Sequence, residues 1–281
     1  MSLFLYQLRG ELWKLFARKR TYIGYFAFLG VEILVMTLMH HHGVRNFFKK
    51  MIEGSGGLFE EYFSGLTVAV LMVAITIFVL GGLYIALIAG DLVAKEVEDG
   101  TMRMTLCRPV SRLRVLTVKY VVCVLYTFTL VLFIGISALT VGILVRGTGG
   151  LFPFIPGVNL LALYDFWPGL GRYLLSLLAL GMSVLTMATF AFQLSCWNIK
   201  PAAATISALT LFSVDAILHE MPLFESYRPW MMRTHMDTWI NAFREPMPWP
   251  KMIEDYAILL GLDATFFILG AVVFASRDFK S

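Results

Sequence analysis

The long apolar runs of this sequence constrain its fold more than any other feature. Six runs approach or exceed the ~20 residues that a helix needs to cross a bilayer. They cover approximately residues 21–40, 66–90, 115–145, 172–195, 200–218 and 256–276. Only 15% of the 281 residues are charged, against about 25% in a soluble domain, and a soluble core could not bury so much apolar surface. The runs have no period of two, so we expect an all-α polytopic membrane protein with six transmembrane helices across residues 21–281.

Residues 1–20 form a separate segment in this prediction. Leucines and aromatic side chains recur there near helical spacing: Leu5, Leu8, Leu12, Trp13, Leu15 and Phe16. Polar side chains take the other side: Gln7, Glu11, Lys14 and Arg18. Such an amphipathic helix can lie flat in the membrane interface, and the alternative is an extension of the first span. The first apolar run starts late and continues as a full span, so we expect no secretory signal peptide.

The distribution of basic residues predicts the orientation. With six spans, both termini lie on one side of the membrane. That side would hold 14 of the 23 Lys and Arg, and the other side 9, of which four lie in one long loop. The 14 are Arg9, Lys14, Arg18, Lys19, Arg20, Lys95, Arg103, Arg108, Arg112, Arg114, Lys119, Lys200, Arg277 and Lys280. The positive-inside rule then places both termini in the cytoplasm, in a plasma membrane, most simply a bacterial inner membrane. The net charge of +4 indicates anchoring to an anionic membrane face and no nucleic-acid partner.

A short charged stretch interrupts the apolar sequence between the second and third runs, and we call residues 91–114 the charged loop. The second helix continues past the lipid until Gly100, a typical helix stop. Thr101 can cap a short helix, "MRMTLCR", which Pro109 ends. Ser111 can cap the third span. The pattern predicts two long helices that support a short helix just outside the membrane.

This stretch resembles the first cytoplasmic loop of the permease (transmembrane) subunit of type-2 ATP-binding-cassette transporters. The shared pattern consists of acidic residues, Gly-Thr, a short apolar stretch, Pro-Val-Ser-Arg and a later Lys. It falls on Glu96, Glu98, Gly100, Thr101, Leu106, Pro109, Val110, Ser111, Arg112 and Lys119. The family often has Gly where this chain has Val118, and Ser near Cys107. The match in detail covers about 30 residues, and the rest of the chain agrees with the family in layout.

The resemblance implies a transport subunit of an exporter, without an ATPase site of its own. The family's permease pairs with a cytosolic ATPase subunit, and usually with a second permease copy, within the lipid bilayer. This chain has no G-x-x-x-x-G-K-[ST] phosphate loop, so ATP and Mg²⁺ would bind to the ATPase. By resemblance, the short helix docks on that ATPase, and the residues that would couple the two subunits are Glu96, Glu98, Gly100, Thr101, Arg103, Leu106, Pro109 and Arg112. The sequence does not identify the exported solute.

Three acidic residues lie within apolar runs, and we expect all three in the external half. They are Glu32, Asp215 and Asp263. An intramembrane carboxylate is costly unless it is paired or used, so these residues are candidates for the translocation path. The alternative is a purely structural role, in which each acid makes local hydrogen bonds or lies close to the outer interface. An alternative function, a proton-coupled secondary transporter or an intramembrane enzyme, would also use these three acids, although no repeat or catalytic motif supports it.

A proline-rich segment, residues 219–255, precedes the last run. Within it, Trp230 to Arg244 can form an amphipathic helix with an apolar side: Met232, Met236, Trp239, Ile240 and Phe243. We expect short external helices here, which either close the outer end of a path or lie on lipid.

Three adjacent histidines, His40 to His42, point about 100° apart on a helix and should not converge on a metal. The cysteines Cys107, Cys123 and Cys196 match no metal site, and a reducing setting predicts no disulfide.

Overall fold

The computed structural model describes residues 3–107, 109–155, 158, 160 and 162–277. Arg108 and Lys280, which contribute to the predicted charge bias, lie outside the described residues. The described chain is predominantly helical. Outside its helices, isolated β-bridges join Leu151 to Phe63 and to Tyr164. This agrees with the all-α prediction.

The first part of the chain forms eight helices, joined by short turns. They are α1 (Leu3–Phe16), α2 (Lys19–Met39), α3 (His42–Gly54), α4 (Phe59–Tyr62), α5 (Gly65–Thr76), α6 (Gly82–Glu98), α7 (Thr101–Leu106) and α8 (Arg112–Arg146). A π-helical segment, Ile77–Gly81, joins α5 to α6 without a break. The second apolar run is therefore one helical element from Gly65 to Glu98.

The second part contains the remaining long helices and the proline-rich segment. The α-helices are α9 (Phe166–Ser195), α10 (Pro201–Glu220), α11 (Met232–Met236) and α12 (Trp249–Ser276). Two 3₁₀ segments, Pro222–Trp230 and Asp237–Phe243, flank α11. As predicted, Pro201 occupies the first turn of α10, where a missing N–H costs nothing.

Within the described part of the chain, five helices are long and apolar enough to cross a membrane. They are α2 from Thr21 onward, α8, α9, α10 and α12. Of these, α9 is the most buried, because it packs against α6, α8, α10 and α12. The bundle is thus built around α9, and the other four present apolar side chains outward, as expected of helices with lipid as solvent.

The N-terminal helix is separate from the first span. α1 ends at Phe16, and α2 begins at Lys19. The Thr21 hydroxyl donates a hydrogen bond of 2.7 Å to the Leu15 carbonyl and fixes the turn between the two helices. The alternative of a continuous extension is therefore wrong. Trp13 is 77% exposed and Tyr6 70%, and aromatic side chains so exposed on α1 suit a membrane interface.

Two parts of the fold were not predicted. α3 follows the first span directly and buries Phe48 and Ile52. Between α8 and α9, the Gly150 amide donates to the Glu61 carbonyl and the Leu151 amide to the Tyr164 carbonyl. The predicted amphipathic helix from Trp230 to Arg244 is instead a short α-helix followed by a 3₁₀ turn.

Candidate functional site

The charged loop adopts the predicted order of helix, turn, short helix, turn and helix. Gly100 has φ 72° and lies in the left-handed region, which favours glycine. α7 follows at once and ends at Leu106, three residues before Pro109. Ser111 accepts a hydrogen bond of 3.3 Å from the Arg114 amide and caps α8, as predicted.

The start of α7 differs from the prediction in one detail. Thr101 does not cap the helix, since Gly100 holds the cap position and Thr101 is the first helical residue. The Thr101 hydroxyl donates to the Glu96 carbonyl at 3.2 Å instead. Met102 is fully buried, and Leu106 packs against the core. α7 is therefore held on the bundle by apolar contacts on one side and, at its start, by the hydrogen bond from the Thr101 hydroxyl to the Glu96 carbonyl.

A buried ion cluster lies where α1, α6 and α8 meet. The Lys119 ammonium lies 2.8 Å from the Glu11 carboxylate and 2.8 Å from the Glu96 carboxylate. Lys14 pairs with Glu11 and lies 3.6 Å from Glu96. The two acids are thus matched by two bases, of which Lys119 is buried and Lys14 lies at the exposed edge of the cluster. A buried charge such as that of Lys119 requires partners of this kind.

The pairing perturbs the two α1 side chains of this cluster. Burial alone would raise the pKa of Glu11, but Lys119 and Lys14 hold that pKa below its ordinary value. Burial would lower the pKa of Lys14, yet Glu11 and Glu96 raise it above its ordinary value. Both groups are therefore stabilised in their charged forms.

The cluster includes a residue that the resemblance assigns to coupling. Glu96 is buried there. On the polar side of α1, Gln7 also accepts a 3.0 Å hydrogen bond from Arg114. Sequence reasoning placed Glu11 and Lys119 separately and missed their pairing. A possible signal was the presence of a single acid on α1 beside the basic start of α8.

Other charges of the loop remain accessible. Glu98 and Arg103 are exposed, and Glu98 pairs with Lys95 at the surface, 2.8 Å away. Pro109 is exposed at the turn. Arg112 is also exposed, but its guanidinium donates to the Ala275 and Arg277 carbonyls at 2.8 and 2.9 Å. Arg112 therefore joins the start of α8 to the end of α12.

Four separate parts of the chain meet at this end of the bundle. α1 and the charged loop meet through the ion cluster. The end of α12 joins through Arg112, and Arg277 donates to the Trp197 carbonyl at 2.8 Å, in the turn between α9 and α10. These are the regions that the sequence placed on one side of the membrane.

The three acids of the apolar runs do not converge. Glu32 on α2 is fully buried and accepts a 2.7 Å hydrogen bond from Ser137 of α8. Asp263 on α12 lies beside Thr189 of α9, whose hydroxyl is 3.3 Å from that of Tyr120 on α8. Tyr120 and Ser137 are 17 residues apart on one helix, or roughly 25 Å, so Glu32 and Asp263 lie at different depths.

Asp215 has a local role. It is half-buried near the end of α10, and its carboxylate accepts a 2.7 Å hydrogen bond from the Arg233 amide in the first turn of α11. This matches the alternative of a purely structural role through local hydrogen bonding. The three acids therefore do not form one shared site in this structure.

The histidines are engaged in different places. His40 Nδ1 lies 2.9 Å from the Met36 carbonyl, and His41 accepts from the Gly43 amide at the start of α3. His235 is buried elsewhere, 2.8 Å from Asp255. Among the described residues, no group of three or more metal-binding side chains is present.

The proline-rich segment contains a buried network that the sequence did not reveal. Asp255, at the start of α12, accepts from Thr238 at 2.7 Å and pairs with Lys251 at 2.9 Å, in addition to His235. Arg172 of α9 donates to the carbonyls of Ala242 and Arg244. The segment is thus fastened to α9 and α12 across the end of the bundle opposite the charged loop.

Comparison with known proteins gives the family. The fold defines an α-helical protein with apolar helices of membrane-spanning length. The chain belongs to the family DUF2705, described as a protein of unknown function, whose model matches residues 27–279. Over 122 residues it is 31% identical to "Uncharacterized protein YhcI" of Bacillus subtilis (strain 168). The match covers 42% of this chain and 38% of that relative.

Proposed function

We propose that this chain is the membrane-spanning permease subunit of an ATP-driven exporter, coupled to a separate cytosolic ATPase subunit. The observation that carries the proposal is the build of the charged loop. α7 is supported on both sides by long helices, with a left-handed glycine at its start and an exposed proline after its end. A short helix held in this way can transmit a push into the spans, whereas a flexible loop could not.

The packing around the loop supports the same function. The ion cluster joins α1 to α6 and α8, and Arg112 joins α8 to α12. Movement of α7 would therefore be felt by several helices together. Since packed interfaces have discrete arrangements rather than continuous ones, such a unit suits a transporter that alternates between two states.

The proposed topology has six spans and cytoplasmic termini. The helical run from Gly65 to Glu98 supplies the sixth span in addition to α2, α8, α9, α10 and α12. The charged loop, α1 and the end of α12 then lie together in the cytoplasm, at the plasma membrane. The proline-rich segment lies outside. A second permease copy, identical or related, would complete the path.

The experiment that tests the proposal is co-purification of an ATPase subunit with variants of α7. The ATPase would be supplied by a neighbouring reading frame that encodes a phosphate loop. Since Glu96 is buried in the ion cluster, the informative change is Glu98→Lys with Arg103→Glu. Both side chains are exposed, so they contribute little to folding. We expect loss of co-purification and of ATP turnover, with normal insertion of the permease.

The matched control is Glu53→Lys with Lys49→Glu, an exposed pair on α3 at 3.8 Å. This pair lies at the opposite end of the bundle and should leave the complex intact. Unchanged ATPase binding in the α7 double variant would contradict docking at this loop. ATPase activity of the purified permease alone, abolished by a substitution in this chain, would contradict the division into two subunits.

A further inference from the structure

The contact between α9 and α12 contains a line of buried polar side chains. Ser183, Thr186, Thr189 and Gln193 follow each other at intervals of three or four residues on α9 and are all buried. Residues at this spacing share one side of a helix. Among the described residues, Ser183, Thr186 and Gln193 each have a buried side-chain oxygen without a hydrogen-bond partner.

Asp263 of α12 faces this line. It is 4% exposed, and neither carboxyl oxygen makes a hydrogen bond within the described part of the chain. Thr186 and Thr189 lie beside it on α9. The titratable groups that face it from α8 are Tyr120 and Cys123. Neither can carry a positive charge, so no counter-ion is supplied from α8 or α9.

These surroundings favour a neutral carboxylic acid over a carboxylate. An isolated buried carboxylate is strongly disfavoured in an apolar interior, and such a group takes up a proton instead. The protonated form has an O–H donor and remaining acceptors, which suit adjacent hydroxyl groups. A metal cation would need several oxygen ligands around a cavity, whereas a proton needs no space.

We propose that Asp263 is an exchangeable proton-binding site between α9 and α12. One proton passes from water to the carboxylate, and no other bond changes. When the two helices are packed as in this structure, the carboxyl group holds the proton. When they separate, water reaches the carboxyl group and the proton can leave. This inference rests on the packing of α9 and α12 alone and does not depend on the exporter proposal.

The polar line also suggests where the proton enters. Asp255, which pairs with His235 of α11, lies on α12 eight residues before Asp263, or about 12 Å along the helix. Tyr256, between them, donates a 3.0 Å hydrogen bond to the Ala179 carbonyl of α9. Polar groups therefore continue from Asp263 toward the end of the bundle covered by the proline-rich segment.

The test is infrared spectroscopy of the purified full chain in liposomes, which detects the carbonyl stretch of a protonated carboxyl group. We expect a band that Asp263→Asn removes and that Glu32→Gln, at another buried acid, leaves in place. The band should shift in D₂O and decrease reversibly as the pH is raised. In case Asp263→Asn does not fold, Thr186→Val and Thr189→Val should change the frequency of the band.

Three results would overturn the proposal. A band that neither shifts in D₂O nor responds to pH would mean a permanently protonated structural acid. No band assignable to Asp263 at neutral pH would mean a charged carboxylate. Loss of the band on addition of sodium at constant pH would replace the proton by a metal cation.

Discussion

Lys119 of α8 and Glu96 of α6 form a buried ion pair of 2.8 Å, in which the lysine side chain is 1% exposed and the glutamate 8%. The same ammonium pairs with Glu11 of α1. One buried cation therefore connects α1, α6 and α8, and its contact on α6 is Glu96 of the charged loop. Its position makes α1 part of the unit that supports α7, rather than a helix that only lies on the membrane.

The first prediction concerns this cation. Lys119→Met would leave Glu11 and Glu96 close together with only Lys14 between them. Removal of one partner from a buried pair typically costs about 3–5 kcal/mol, so we expect a loss of this size in the free energy of unfolding. Equilibrium unfolding of the purified chain in detergent would measure it.

The control for the Lys119 prediction is Lys95→Met. Lys95 forms an exposed pair with Glu98 at the end of α6. That change should leave the unfolding midpoint nearly unaltered. The triple variant Lys119→Met, Glu11→Gln, Glu96→Gln removes all three charges and should recover most of the loss. Equal destabilisation by the two Lys→Met changes would contradict a special role of the buried cluster.

A second prediction follows from the lowered pKa of Glu11. A carboxyl group whose pKa is lower in the folded state stabilises the protein at pH values above the ordinary pKa, which is 4.5 for Glu11. That contribution is lost as the pH falls through the folded-state pKa. Between pH 7 and pH 3, wild-type stability should therefore decrease more than that of Glu11→Gln. Thermal unfolding across this range tests the prediction, and parallel curves for the two proteins would contradict it.

Gly100 carries the third prediction. A Cβ placed at Gly100 would meet nothing within 4 Å. The effect of a substitution there therefore depends on the left-handed backbone conformation and not on crowding by neighbours. A left-handed conformation costs roughly 1–2 kcal/mol for an ordinary residue, and asparagine tolerates it best. Gly100→Val should weaken ATPase docking more than Gly100→Asn does.

The control for the Gly100 series is Gly30→Ala, at a helical glycine of α2 with open space around it. It should not reduce docking. Pull-down of the ATPase subunit, with the amount of inserted permease as reference, measures the difference. Equal binding by the Val and Asn variants would mean that the turn geometry at Gly100 is unimportant.

The fourth prediction is the orientation. A reporter that is active only inside the cell, fused to either end of the chain, should give a signal in both fusions. The motive is the 14-to-9 division of basic residues, together with the finding that α1, the charged loop and the end of α12 meet at one end of the bundle. A signal from one fusion only would mean an odd number of spans.

The charged loop shows how far the sequence leads. Gly100, Pro109 and Ser111 act through local backbone preferences, so their roles in ending and starting helices could be predicted from spacing. Glu96 could not be placed in this way. Whether a charge at a helix end is exposed depends on what packs above it, and here α1, which is about 80 residues away in sequence, covers it.

The apolar runs show the same division. Their length and composition predicted where the long helices lie, because lipid requires ~20 apolar residues in each. The relative depth of Glu32, Asp215 and Asp263 depends on how neighbouring helices are staggered. A hydropathy pattern contains no information about stagger, so it could not show whether the three acids lie together.

The last prediction concerns Glu32. Its carboxylate accepts one hydrogen bond from Ser137, and its second oxygen is buried without a partner in the described part of the chain. Glu32→Gln keeps an acceptor for Ser137 and removes the titratable group, so the fold should be preserved. Ser137→Ala leaves the carboxyl without this hydrogen bond and should cost about 1–3 kcal/mol.

A carboxylate kept at this depth is expected to be used. We therefore expect Glu32→Gln to assemble normally with the ATPase and to reduce ATP turnover of the complex, whereas Ser137→Ala should reduce the amount of folded protein. Expression, co-purification and ATP turnover, measured together, distinguish the two effects. Normal turnover in a normally assembled Glu32→Gln complex would show that the acid has only a structural role.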